Sequence, residues 1–137
     1  TQDAERRRQL RDFGEHVGIA FQIRDDLLDY LGRRSVIGKP TGIDLKEKKL
    51  TLPLIHALTH ASRSDAKQAI RIVKNGAKQK DMQWVMDFVK SAGGIDYAIG
   101  RARHFSDIAR NDILPLPDSS SKSALLQFVD FVTERQS

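Results

Sequence analysis

The stretch that decides the fold is FGEHVGIAFQIRDDLLD, residues 13–29. It lies in a helical segment predicted over residues 4–31, which ends where Gly32 breaks the pattern. At about 100° per residue, one side of this helix is polar and carries Gln22, Asp25, Asp26 and Asp29. The other side is apolar and would face a core: Phe13, Val17, Ala20, Phe21, Leu27, Leu28 and Leu31. The sequence therefore predicts an amphipathic helix with three carboxylates on its polar side.

The three carboxylates indicate a cation. Their spacing of i, i+1 and i+4 costs a few tenths of a kcal/mol per pair in repulsion, roughly, so the helix gains nothing from them by itself. Oxygen ligands without neighbouring Cys or His favour a hard ion, Mg²⁺ above all. An acidic triplet standing alone is more often a solvated surface, so the hypothesis depends on the residues downstream of the helix.

The loop after this helix carries lysines between glycines. Residues 38–45 read GKPTGIDL, and they place Lys39 between Gly38 and Gly42. Glycines let backbone approach a ligand closely, and a lysine there supplies a point charge for a phosphate. Lys49 ends a second basic cluster, which can equally well be a solvated turn with no ligand. The G-x-x-x-x-G-K-[ST] order of a Walker A loop is absent from the sequence. Acidic and basic groups this close together predict metal-bridged diphosphate binding.

The remainder of the chain reads as helical, and the short alternating runs of β-strands are missing. The fold class is therefore all-α. Further helices are predicted over residues 51–61 with Pro53 in the first turn, 66–75 capped by Ser64 with Asp65, 81–92, 95–111, and from the serines at 119–121 to Glu134.

Composition narrows the function classes. The chain has 137 residues, 39% of them hydrophobic and 30% charged, with no cysteine. We expect a reducing, cytoplasmic compartment and no stable membrane insertion. The net charge of +5 favours the binding of anionic partners. Nucleic acid is not expected, because the basic residues at 6–8, 46–49 and 71–80 are scattered and lack interleaved aromatic residues.

Two histidines have a spacing that can bind zinc. His56 and His60 are four residues apart on a predicted helix, but no further ligand lies near them in the sequence. A polar helix face is the favoured interpretation of the pair.

The segment 13–29 resembles the second aspartate-rich motif of trans-isoprenyl diphosphate synthases. It is followed, as in the bacterial polyprenyl synthases, by Gly38-Lys39-Pro40-x-Gly42-x-Asp44-Leu45 and then by Lys49-x-Thr51-Leu52-Pro53. The strong similarity covers residues 13–58. A bare DD-x-x-D is a weak signal, whereas FQ-x-x-DD-x-x-D with both lysine elements downstream is specific.

The resemblance implies an all-α prenyltransferase fold with helices around a central cavity. It also implies a reaction in which isopentenyl diphosphate adds to an allylic diphosphate after Mg²⁺-assisted ionisation. In that family the metal lies between two aspartate-rich helices. By resemblance, the metal ligands would be Asp25, Asp26 and Asp29, with Asp25 the principal one; Lys39 and Lys49 would contact the departing diphosphate, and Phe21 and Gln22 would line the cavity.

The first aspartate-rich motif of that family is not found in this sequence. Asp25-Asp26 is the only adjacent acidic pair in the chain. The resemblance thus implies that residues 1–137 are the C-terminal half of a single all-α domain, with the N-terminal half absent. We expect the isolated chain to be inactive, and to form a homodimer or to associate non-natively through uncovered apolar faces.

Three alternatives stay open. A terpene synthase shares the architecture, but its second metal motif is typically N-x-x-x-[ST]-x-x-x-E. A non-catalytic prenyltransferase-like subunit commonly loses the aspartates, which are present here. A helical nucleic-acid-binding module is suggested only by the net charge.

Overall fold

The structure is a computed structural model, and it describes residues 2–31, 49–76 and 78–134. In these ranges all the regular secondary structure is α-helix, which confirms the predicted fold class. The helices are α1 (Gln2–Leu31), α2 (Leu52–His60), α3 (Arg63–Lys74), α4 (Gln79–Ser91), α5 (Gly94–Ile113) and α6 (Ser120–Glu134). The chain divides into two compact units, unit 1 with residues 1–24 and 100–136 and unit 2 with residues 25–99.

Helix starts follow the local capping chemistry, with one difference from the sequence prediction. Ser62, not Ser64, caps α3: its Oγ accepts a hydrogen bond of 3.1 Å from the backbone N–H of Asp65. Ser62 has the extended backbone that an N-cap requires, which places Ser64 and Asp65 inside the first turn. At α6 one of the serines at 119–121 caps the helix, because Ser119 Oγ accepts a hydrogen bond of 3.0 Å from the backbone N–H of Lys122.

Unit 2 is built on the packing of α2, α3 and α4 against one another. Leu54 and Ala57 of α2, and Val85 and Val89 of α4, are all fully buried. Each branched side chain buried in this way stabilises the fold by about 1.5–3 kcal/mol. The buried cluster comprises Leu54, Ala57, Ala69, Ile72, Val73, Met82, Val85, Phe88 and Val89.

A pair of glycines lets the chain turn from α4 into α5. Gly93 has φ +79°, a left-handed conformation that favours glycine. Gly94 is needed for space, because a Cβ there would lie 2.3 Å from the carbonyl oxygen of Pro53 and 2.9 Å from a methyl carbon of Val89. The start of α5 therefore lies directly against the start of α2.

Unit 1 has its own core on α1, α5 and α6. Its buried residues are Phe13, Val17, Ala20, Ala109, Ile113, Val129 and Val132. The prediction that Phe13, Val17 and Ala20 face a core is confirmed. The same prediction was wrong for Phe21 and Leu31, which are 40% and 38% exposed. Ile23, which the predicted apolar side omitted, is buried instead.

Polar contacts join elements of unit 1, among them an ion pair of Arg110 in α5 with Asp130 in α6. His16 Nδ1 lies 2.6 Å from Asp112 Oδ2, which connects α1 with α5. The ammonium of Lys122 donates to the carbonyl oxygens of Leu114 and Leu116, each at 2.8 Å, and to Asp118 at 3.1 Å. The Lys122 side chain is only 11% exposed, so it fixes the segment of turns between α5 and α6.

Replacing Gly94 tests the close approach to Pro53. The G94A variant should lose about 2–3 kcal/mol of unfolding free energy, because the new methyl group meets backbone that cannot move aside without displacing α2. Urea denaturation of both proteins measures the loss. The control is G100A, where a Cβ would meet no atom within 4 Å. There alanine should be neutral or stabilising by up to about 1 kcal/mol.

Replacing Lys122 tests the tie between α5 and α6. The K122M variant keeps the apolar stem but removes the donor to the carbonyls of Leu114 and Leu116. It should lose about 2 kcal/mol, since charged hydrogen bonds are worth about 1.5–3 kcal/mol. Thermal unfolding measures the change, with K90M at an exposed lysine as control. Equal stability of K122M and K90M would contradict the tie.

Candidate functional site

The three carboxylates lie in the last two turns of α1. Asp25 and Asp26 are partly exposed, whereas Asp29 is fully buried. Leu27 and Leu28 beside it are buried too, so burial covers three consecutive residues here. The polar side that the sequence predicts is therefore not evenly open to solvent. Towards the end of α1, residues on more than one side of the helix are buried by packing.

The described carboxylates fit a magnesium ion only in part. In residues 2–31, 49–76 and 78–134 no group of three or more His, Asp or Glu side chains is placed to hold a metal ion. Asp25 and Asp26 are partly exposed, and carboxylate oxygens are the hard ligands that Mg²⁺ prefers. Mg²⁺ commonly takes one or two carboxylates and completes its shell with water and phosphate. This pair suits such a shared site, and the metal-binding roles stay predictions.

The predicted substrate contacts are divided between the two units. Phe21 and Gln22 are exposed residues of α1 within unit 1. Lys49 is exposed in unit 2, two residues before Thr51, which is the N-cap of α2. Lys39, with the whole glycine loop, lies outside the described residues.

The two histidines of α2 form a stack of aromatic rings. The His56 ring centroid lies 4.0 Å from that of His60 and 4.1 Å from that of Tyr97, with the rings within 18° of parallel. His60 Nδ1 lies 2.9 Å from both the His56 carbonyl oxygen and Thr59 Oγ1. Desolvation by burial, together with the neighbouring His60, lowers the pKa of His56.

Sequence reasoning missed two surface features of unit 2. The contact between His56 and Tyr97 joins residues far apart in the chain, and no sequence signal marks it. The basic residues of α3 did carry a signal. Arg63, Lys67 and Arg71 are spaced by four, which places them on one side of a helix.

Similarity to known proteins decides the family. The sequence matches the model of the polyprenyl synthetase family over residues 1–89. The chain belongs to the polyprenyl synthetase family. Its relatives include the octaprenyl diphosphate synthase of Haemophilus influenzae, 35% identical over 126 residues, and the short chain isoprenyl diphosphate synthase of Methanothermobacter thermautotrophicus, 35% identical over 127 residues.

Solved structures of the family share the fold. The polyprenyl synthase of Caulobacter crescentus, complexed with calcium and isoprenyl diphosphate, superposes with a TM-score of 0.88 at 29% identity over 98% of this chain. The geranylgeranyl pyrophosphate synthase of Corynebacterium glutamicum, complexed with isoprenyl diphosphate and magnesium, gives 0.80 at 26% identity over 93%. These matches confirm the all-α isoprenyl diphosphate synthase fold that the sequence motif implies.

This family member spans about two fifths of the length of the relatives it matches. The similarity covers 92% of this chain but 38% of the H. influenzae enzyme, and 41% of the C. crescentus chain. In the described part of the chain, no helix is both long enough and apolar enough to cross a membrane.

The histidine stack should make stability depend on pH. Because the pKa of His56 is lowered from 6.5 in the folded chain, the unfolded chain binds the proton more readily. The free energy of unfolding should therefore fall as the pH drops through about 6.5 and below. H56Q should show a shallower fall than the parent in denaturation series across this range. H104Q, at an exposed histidine outside the stack, should keep the parent's slope; a matching slope in H56Q would contradict the prediction.

Proposed function

We propose that this chain is the C-terminal part of a trans-prenyltransferase that joins isopentenyl diphosphate to an allylic diphosphate. The observation that carries the proposal is the Asp25-Asp26 pair, which α1 presents partly exposed in a chain of the polyprenyl synthetase family. Solved relatives hold isoprenyl diphosphate together with calcium or magnesium. Accessible carboxylates suit a divalent ion shared with such a diphosphate.

The proposed roles combine the family resemblance with the burial of each side chain. Asp25 and Asp26 are both partly exposed. The resemblance to the second aspartate-rich motif makes Asp25 the principal metal ligand and gives Asp26 a supporting role. Asp29 is buried, so we assign it a supporting role rather than direct coordination. Magnesium, when bound, would neutralise the charge that grows on the leaving diphosphate.

Cationic and cavity-lining residues complete the proposed site. Lys39 and Lys49 donate hydrogen bonds to the diphosphate, and their charges favour its departure from the allylic carbon. Phe21 and Gln22 line the space beside the reacting carbons. Exclusion of water from that space would keep the allylic cation from being quenched.

The proposal places this chain as one part of a single synthase domain. The carboxylates of α1 supply one side of a metal site, and the family's first aspartate-rich motif would supply the other. The isolated chain should therefore bind a divalent ion weakly and should not transfer prenyl groups. As a complete enzyme it would act as a homodimer in the cytoplasm.

A hybrid enzyme tests the function. This chain replaces the matching 38% of the H. influenzae octaprenyl diphosphate synthase. The hybrid should convert isopentenyl diphosphate and an allylic diphosphate into a longer prenyl diphosphate in the presence of Mg²⁺. D25N should lower kcat on the order of 100-fold, because one charged metal ligand becomes a neutral amide of the same shape.

Two comparisons make that test decisive. D96N removes an exposed carboxylate from the first turn of α5 and should keep the hybrid's kcat within about twofold. The 137-residue chain alone should give no product. The proposal fails if D25N and D96N have the same kcat in a folded, active hybrid, or if the purified chain alone turns over.

A further inference from the structure

The exposed side of α3 carries four cations in a narrow arc. Arg63, Lys67, Arg71 and Lys74 are separated by four, four and three residues. At 3.6 residues per turn, they fall within about 80° of the helix circumference. All four are exposed. The buried residues of the same helix, Ala69, Ile72 and Val73, lie on its other side. We name the four cations, with their exposed apolar neighbours Ile70 and Leu50, the α3 surface.

The cations of the α3 surface are not neutralised by neighbouring side chains. In residues 2–31, 49–76 and 78–134, none of the four has a carboxylate within 4.0 Å. The acidic residue of α3 itself, Asp65, lies far from the cations around the helix. Asp81 of α4 lines the same groove as Arg71. Three or more positive charges on the surface are therefore available to an anionic partner.

Exposed apolar side chains border these cations. Ile70 is 49% exposed, next to Arg63 and Lys74 around the helix, and Leu50 is 62% exposed. Both line an open apolar groove of about 340 Å³, and Lys74 lies at its edge. The remaining walls of the groove are apolar side chains of α2 and α3. The surface thus offers positive charge and uncovered hydrocarbon side by side.

We propose that the α3 surface docks this protein on an anionic lipid bilayer. A bilayer interface presents phosphate charge and hydrocarbon in adjacent layers, the same two chemistries that the surface offers. The four cations contact the headgroups, and Ile70 and Leu50 enter the boundary between headgroups and acyl chains. A nucleic acid is less well matched, because α3 has no aromatic side chain on which a base could stack.

The docking is peripheral and depends on salt. Each Lys or Arg close to an anionic membrane surface strengthens binding several-fold, and the attraction fades within a Debye length. Loss of three cations should weaken partitioning on the order of 100-fold. Loss of the half-exposed Ile70 side chain should weaken it about fivefold.

Vesicle co-sedimentation of the 137-residue chain tests the proposal. The chain should bind vesicles of phosphatidylcholine containing roughly 30% phosphatidylglycerol, and should leave them in about 0.5 M NaCl. The triple variant K67Q/R71Q/K74Q should bind on the order of 100-fold more weakly than the parent. I70S should bind about fivefold more weakly at unchanged net charge.

The matched control removes three exposed cations elsewhere. R7Q/K90Q/R103Q lowers the net charge by the same amount and should stay within about threefold of the parent. Circular dichroism confirms that every variant is helical. The proposal is overturned by equal losses in the two triple variants, by equal binding to pure phosphatidylcholine, or by single-stranded RNA that competes as strongly as the vesicles. None of these readouts depends on prenyl transfer, so the outcome is independent of the proposed function.

Discussion

The packing of α2 on α4 is the contact on which unit 2 depends. Leu54 and Ala57 meet Val85 and Val89 without exposed surface, and α3 closes over them with its own buried residues. This burial fixes the rotation of α3 about its axis. Because Ala69, Ile72 and Val73 must face inwards, the cations of the same helix must face outwards. The charge pattern of the surface is thus set by the hydrophobic core beneath it.

For the carboxylates of α1, mutual repulsion has to be offset by burial or by a bound cation. A helix gains nothing from three aspartates within five residues unless a cation or a buried interaction offsets their repulsion. The structure buries Asp29 and leaves Asp25 and Asp26 partly in contact with solvent. Two partly exposed aspartates suit an ion whose other ligands come from phosphate, water or further protein groups.

Much of the fold could be predicted because the sequence marks it locally. Hydrophobic periodicity and glycines located the six helices to within about three residues at either end. The cap of α3 was misplaced because Ser62 and Ser64 have the same capping chemistry, and only backbone conformation distinguishes them. The burial of Asp29 and the exposure of Phe21 depend on packing between segments distant in the chain. Local periodicity carries no information about such packing.

The candidate site was predictable to a similar extent. Residue types and spacing singled out Asp25 and Asp26, and the helix that carries them is present. The stack of His56 on Tyr97 was invisible because it joins α2 to α5. The cations of α3 were visible in the sequence, but their common side appears only when they are placed around the helix. Along the chain they are three or four residues apart.

The glycine pair between α4 and α5 has a consequence for how sequences of this kind can vary. Gly93 is required by a torsion angle, and Gly94 by the distance to a carbonyl oxygen. These constraints have separate physical origins, so a compensating change that relieves one leaves the other in force. A widened gap beside Pro53 would admit a side chain at position 94 but not at 93. Each of the two positions therefore needs its own compensating change before a residue other than glycine is tolerated there.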